Sequence, residues 1–383
     1  MQALRAARLF DGRDVVDEPV VVVDGGTIAE VGRPAPSGTE VVDLGDVTVL
    51  PGLVDAHQHL VFDGNGSIEE QVAGRSDDEL RARARANGRR ALAAGITTIR
   101  DLGDRNYVTL DIRDDPDLPT ILAAGPPLTA DGGHCWFLGG CCTDTDALVA
   151  AVHERKARGC DVVKVMVTGG ILTPTFPMWA SQFTAEQIAT VVSTAHAVGL
   201  PVAAHCHGAG GTAQAVDAGV DTIEHCTFLG ERMKSEPDAD IIEAIVAAGI
   251  TVSATLGVHP DHVPPPIVQA NFPVIFDVLR ELRRLGGTIV VGTDAGVGPG
   301  KPHDVLPHAV RDLVDIGFTA ADVVTAMTAT AATVCGVGHR KGRLARGYDA
   351  DIVAVDGDPL RDAAALFDVR YVWRGGRAMP TGV

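Results

Sequence analysis

At 383 residues the chain is too long for one small domain and suits one large unit plus an accessory one. Its net charge of −18 disfavours nucleic acid and anionic membranes as partners, since both select basic surface, and an aromatic content of 4% argues against base-stacking platforms. The partner left standing is a small-molecule substrate.

The amino-terminal MQALRAARLF has no long apolar run, so no signal peptide is expected, and no stretch approaches the roughly 18 apolar residues of a membrane helix. Seven cysteines without framework spacing suit a reducing cytoplasm.

Residues 1–50 alternate short β-rich runs with turns. Val20 to Val23 is followed by Asp24-Gly25-Gly26, a hairpin signal. Residues 350–355 and 369–373 read as strands near the other end. A lone hairpin is marginal in water. Both ends together, 1–50 and 344–383, are therefore expected to form one split β-sandwich.

Between them, within 51–343, lie eight apolar runs that read as strands: 54–59, 97–102, 120–124, 162–168, 202–207, 222–227, 251–256 and 288–293. Helical stretches separate most of them. Ser76 with Glu79 and Thr184 with Gln187 read as capping boxes, and Gly95, Gly199, Gly219 and Gly249 as helix stops. Strand alternating with helix implies an α/β fold with a parallel sheet, and eight repeats favour a (β/α)₈ TIM barrel. No GxGxxG turn follows the first strand, which weakens a dinucleotide-binding alternative.

Six residues fall near the carboxyl ends of these runs: His57, His59, Lys164, His205, His225 and Asp294. A barrel places its chemistry at those ends. Side chains alternate along a strand, so His57 and His59 face one way and Gln58 the other. Two imidazoles on one strand can chelate a divalent ion. Asp294, in Gly292-Thr293-Asp294-Ala295-Gly296, can touch a metal and move a proton from its bound water. By the same alternation Cys206 and Cys226 point away from the lumen, as small core hydrophobes.

PGLVDAHQH resembles the first-strand signature of the amidohydrolase superfamily, and KVMVTGG, AHCHG, IEHC and GTDAG match its later motifs in order. The likeness covers almost the whole chain and points to the imidazolonepropionase-like and prolidase-like branch. It implies that His57, His59 and Asp294 bind one metal, that His205 and His225 bind a second, and that Lys164, carbamylated by carbon dioxide, bridges them. Two divalent ions are then the cofactors, zinc being the expected one among several that suit the ligands. It further implies hydrolysis of an amide-type carbonyl by metal-bound hydroxide, in a dipeptide, N-acyl amino acid, cyclic amide, urea or carbamate. Relatives commonly assemble, so a homo-oligomer is expected.

His134, in Gly132-Gly133-His134, corresponds to a histidine that contacts the substrate carbonyl in related enzymes. His207 should share the lumen with His205; dipeptidase-like relatives often carry tyrosine there, which puts dipeptide specificity in doubt. Other candidates for the pocket are Arg100, Tyr107, Trp136, Met178, Trp179, His259 and His262. Arg100 could grip a substrate carboxylate or pair with a barrel acid. Trp136 and Trp179 could wall the pocket or pack their own loops. The proline-rich stretch from His259 to Pro266 reads as a stiff rim.

Rival readings are a mononuclear deaminase or ring-opening hydrolase, which Lys164 argues against, and a lactonase or other ester hydrolase on the same site. A non-catalytic interaction protein would have lost ligands, and all six are present.

Overall fold

The computed structural model of the chain describes residues 1–170 and 175–381. The last two positions of the 344–383 segment lie outside the described residues. The architecture is α/β.

Strands from the two chain ends are interleaved. Val47–Pro51 pairs antiparallel with Ile352–Asp356, in a five-stranded sheet that also holds Arg8–Leu9, Val369–Arg374 and Arg377–Met379. A four-stranded sheet runs Thr27–Val31, Val20–Asp24, Gln2–Arg5, Glu40–Asp43. The expected hairpin is there, turning through Gly25 at φ +58°. Leu4, Val21 and Ile28 of one sheet share an apolar core with Val49, Ile352 and Trp373 of the other.

Eight parallel strands carry the site: β1 (Leu53–Gln58), β2 (Ile96–Asp101), β3 (Thr120–Ala123), β4 (Val163–Met166), β5 (Val202–Cys206), β6 (Thr222–His225), β7 (Thr251–Ala254) and β8 (Ile289–Val291). β1 to β3 form one sheet and β4 to β8 another. The sheets meet on both sides. Leu128, past β3, makes a parallel bridge to Val165 of β4, and Gln58 of β1 makes one to Ala295, past β8. Nearly every strand residue is buried, as expected of parallel strands covered on both faces.

The strands are shorter than the apolar runs. Asp294, His207 and His59 lie one to three positions beyond β8, β5 and β1, where the backbone leaves the ladder. Helices follow the strands. Asp77–Ala93 opens on the Ser76–Glu79 capping box and Ala185–Ala197 on the Thr184–Gln187 box. Leu80, Ala84, Ala91 and Leu92 form the buried stripe of the first, at helical spacing. Gly95, Gly199, Gly219 and Gly249 all take the left-handed conformation that ends a helix. Cys206 and Cys226 are buried in the largest apolar core, and each of the seven cysteines is a free thiol. Among the described residues, no helix is long and apolar enough to cross a membrane.

Candidate metal centre

The carboxyl ends of these strands open into a cavity of about 1100 Å³. At its floor, His57, His59 and Asp294 converge from β1 and the segment after β8. His57 Nε2 lies 3.2 Å from His59 Nε2, and both lie within 3.4 Å of Asp294 Oδ1. Backbone pairing fixes this: Asp294 N–H donates to His57 O, and His59 N–H to Ala295 O. Gly292 is required beside it, because a Cβ there would sit 2.3 Å from His57 Cβ.

A second cluster gathers His205, His207 and His225, whose ligand nitrogens all fall within 4.8 Å of one another. Their ring centroids stand 4.5–4.6 Å apart. Asp294 (φ +59°) and His225 (φ +71°) both occupy left-handed backbone, which disfavours side chains with a Cβ. The strain sits on residues from both clusters.

The electrostatics suit cation binding. Burial, and then the charge of Lys164, lowers His57 to about 4. Burial, with its histidine neighbours, holds His205 and His225 well below the ordinary range. These rings are therefore neutral, with lone pairs available. Burial alone would raise Asp294, but His57, His59 and Lys301 outweigh it and hold the carboxylate ionised.

Lys164 lines the same cavity as both clusters. It is 2% exposed, and its Nζ has no hydrogen-bond partner among the described residues. Its charge contributes to the lowered pKa of His57, His134, His205, His207 and His225. Burial lowers its own pKa, against the opposing pull of Glu224 and Asp294. A buried, unpaired amine facing ionisable ligands is a poor resting state. A carbamate with two oxygens fits that place, and the converging nitrogens and carboxylate fit divalent metal.

His134 stands over the second cluster, its ring centroid 4.6 Å from that of His205. Gln182 fixes its loop: Gln182 Oε1 accepts from His134 N–H and Thr129 Oγ1, while Nε2 donates to Met166 O and Thr168 O. Gly170 makes room for the ring, since a Cβ there would come within 2.2 Å of it.

Of the remaining sequence candidates, His207, Met178, His259 and His262 line the cavity. His259 is at the mouth, against His308. Four others do not line it. Arg100 is not a carboxylate clamp: it is 3% exposed, donating to Glu224 Oε1 at 2.9 Å and to Ala56 O at 2.7 Å beneath the site. Tyr107 lies under the Arg155 and Arg158 guanidiniums. Trp136 is 45% exposed against Phe137. Trp179 packs its backbone against Gly208.

Sequence reasoning missed three site residues. Glu224 Oε2 lies 2.9 Å from His57 Nδ1. Lys301 Nζ donates to Thr255 O and Thr293 O, tying the ends of β7 and β8 beside Asp294. Gln182 is the third. Glu224 adjoins His225 in the IEHC motif, but strict alternation would turn it away from the lumen.

A family model described as the amidohydrolase family matches residues 48–379. An ochratoxinase of Aspergillus niger is 26% identical over 374 residues, covering 86% of this chain and 75% of that protein. An imidazolonepropionase of Deinococcus deserti is 26% identical over 407 residues, covering 94% and 92%. The crystal structure of a Xaa-Pro dipeptidase with bound methionine superposes with a TM-score of 0.82 at 27% identity, covering 98% of this chain and 99% of that one.

Proposed function

Because the chain belongs to the amidohydrolase family and is a hydrolase of carbon–nitrogen bonds, we propose that it is a two-metal enzyme cleaving an amide-type bond in a small, largely apolar molecule. The observation that carries this is that His57, His59 and Asp294, and His205 and His225, line one cavity with a buried Lys164 whose Nζ has no hydrogen-bond partner among the described residues. The eight parallel strands are read as one closed (β/α)₈ barrel over 51–343, supported by the bridges that join the sheets on both sides. The segments 1–50 and 344–383 are read as its β-sandwich companion.

His57, His59 and Asp294 would hold one ion, His205 and His225 the other, with carbamylated Lys164 between them; zinc suits this set. Bound there, divalent ions acidify water and polarise a carbonyl. Asp294, kept ionised, accepts the proton of the attacking water at its carboxylate and returns it to the departing nitrogen. His134, at the cavity wall, orients the substrate carbonyl. The cavity supplies Leu229, Met233, Phe272 and Phe276 as apolar contacts for the substrate. Ochratoxinase, imidazolonepropionase and dipeptidase relatives support an amide-type substrate.

Arg100 is held by Glu224 and Lys301 by main-chain carbonyls, so neither offers its charge to a substrate, and Arg311 is the guanidinium that lines the cavity. Metal analysis of the protein and of Lys164→Ala tests the centre. Two ions falling to one or none supports it; one ion indifferent to the change overturns it. Turnover of paired N-acyl phenethylamines and N-acyl phenylalanines tests the substrate class: faster reaction of the acid would assign Arg311 to a substrate carboxylate, and faster reaction of the neutral member would assign the apolar lining alone to substrate binding.

A further inference from the structure

Each ring of the three-histidine cluster has one nitrogen engaged by an oxygen outside the cluster. His205 Nε2 donates to Gly169 O at 3.1 Å, so its Nδ1 carries the lone pair. His207 Nδ1 meets Thr227 Oγ1 at 2.8 Å, and His225 Nδ1 meets Thr255 Oγ1 at 3.1 Å. That leaves Nδ1 of His205 and Nε2 of His207 and His225 outside those bonds, and one ring nitrogen from each of the three lies within 4.8 Å of the others. An outer hydrogen bond on one nitrogen with the other directed inward is how proteins aim imidazoles at metals. His207 also stacks on His225, rings 21° from parallel, so both can present Nε2 to the same side. All three are buried. Neutral lone pairs gathered out of water repel unless a cation lies among them.

We propose that His207 is a metal ligand, completing with His205 and His225 a three-imidazole seat for the second ion. This rests on the two-metal reading above and deepens it. The two seats then differ in chemistry: the first has two nitrogens and a carboxylate, the second three nitrogens. An imidazole-rich seat favours zinc or cobalt over manganese and magnesium, whereas the carboxylate-bearing seat is more tolerant. His207 enters because it lies two positions beyond His205 on the same side of the chain, and because Thr227, two residues past His225, holds its outer nitrogen.

The test is cobalt(II) titration of metal-free protein, reading the visible d–d bands and the stoichiometry, in the parent and in His207→Gln and Thr227→Val. The parent should bind two ions. His207→Gln should keep one tight ion at the His57 seat, lose affinity for the other at least 100-fold and change the spectrum of the second equivalent. Thr227→Val, which keeps the ring and removes only its outer partner, should weaken the second ion by about 10-fold. Far-ultraviolet circular dichroism of each metal-free variant identifies any that fails to fold; Thr227→Val then decides. Two ions held with parental affinity and spectrum in both variants would overturn the assignment of His207. A parent that binds no ion tightly would instead overturn the two-metal reading, and this seat with it.

Discussion

Glu224 Oε2 lies 2.9 Å from Nδ1 of His57, beneath the candidate metal centre, while the other oxygen of the same carboxylate accepts from Arg100. Thr222 adds a further donor at 2.7 Å. Burial would raise the carboxyl's pKa, but Arg100 and His57 outweigh it and hold Glu224 ionised. The carboxylate thus turns His57 so that Nε2 faces the ion position.

Glu224→Gln should lower affinity for the ion held by His57 about 10–100-fold, read by competition with a chelator. Arg100→Ala should act differently, leaving a carboxylate in the interior without its cation. A loss of about 3–5 kcal/mol in folding stability is expected from urea unfolding. An Arg100→Ala protein as stable as the parent would show that Glu224 is not held as described.

Gly170 touches the edge of the His134 ring, and a methyl group there would displace it by an ångström or more. Gly170→Ala should therefore cut kcat by about 100-fold, the usual effect of so large a misplacement, with metal content unchanged. Activity and metal analysis on the same preparation check this. Equal loss of metal and activity would point to general damage instead.

Asp104 is fully buried and accepts two hydrogen bonds from Thr109, one from N–H and one from Oγ1. Burial, reinforced by the nearby Asp101, pushes its carboxyl up to about 7. In the unfolded chain it titrates near the ordinary value of 3.8. The native state therefore binds the extra proton between about pH 4 and 7. Stability from this group is full below that window and falls as pH rises through it, by at most about 1.4 kcal/mol per pH unit. Asp104→Asn, which cannot ionise, should be more stable than the parent at pH 8 and closer to it at pH 4. Urea unfolding of metal-free protein at the two pH values measures the difference.

The order of elements was legible because each local signal agreed with the others. Capping boxes, left-handed glycines and apolar runs all mark the same boundaries. His57, His59, His205 and Asp294 could be placed near one another by counting strand ends alone. Glu224 could not. Alternation assigns Glu224 and His225 to opposite faces, but His225 takes a left-handed turn, and both side chains end up directed at the site. A backbone conformation of that kind leaves no trace in residue type when the residue is not glycine. Arg100 was ambiguous for a related reason: its partner is distant in sequence and was itself hidden. Tyr107, Trp136 and Trp179 have residue types common in both pockets and loops, and only three-dimensional packing separates the two.

The pairing of Val47–Pro51 with Ile352–Asp356 has a consequence for biosynthesis. As the polypeptide leaves the ribosome, that early segment must wait for some three hundred further positions before its neighbour exists. Its edge lacks that neighbour until Ile352–Asp356 emerges, and contacts so remote in sequence form slowly. Nascent chains arrested before the last strands emerge would carry an open sheet edge able to recruit other chains. These two segments therefore act as a late clasp, closing only once both have been synthesised.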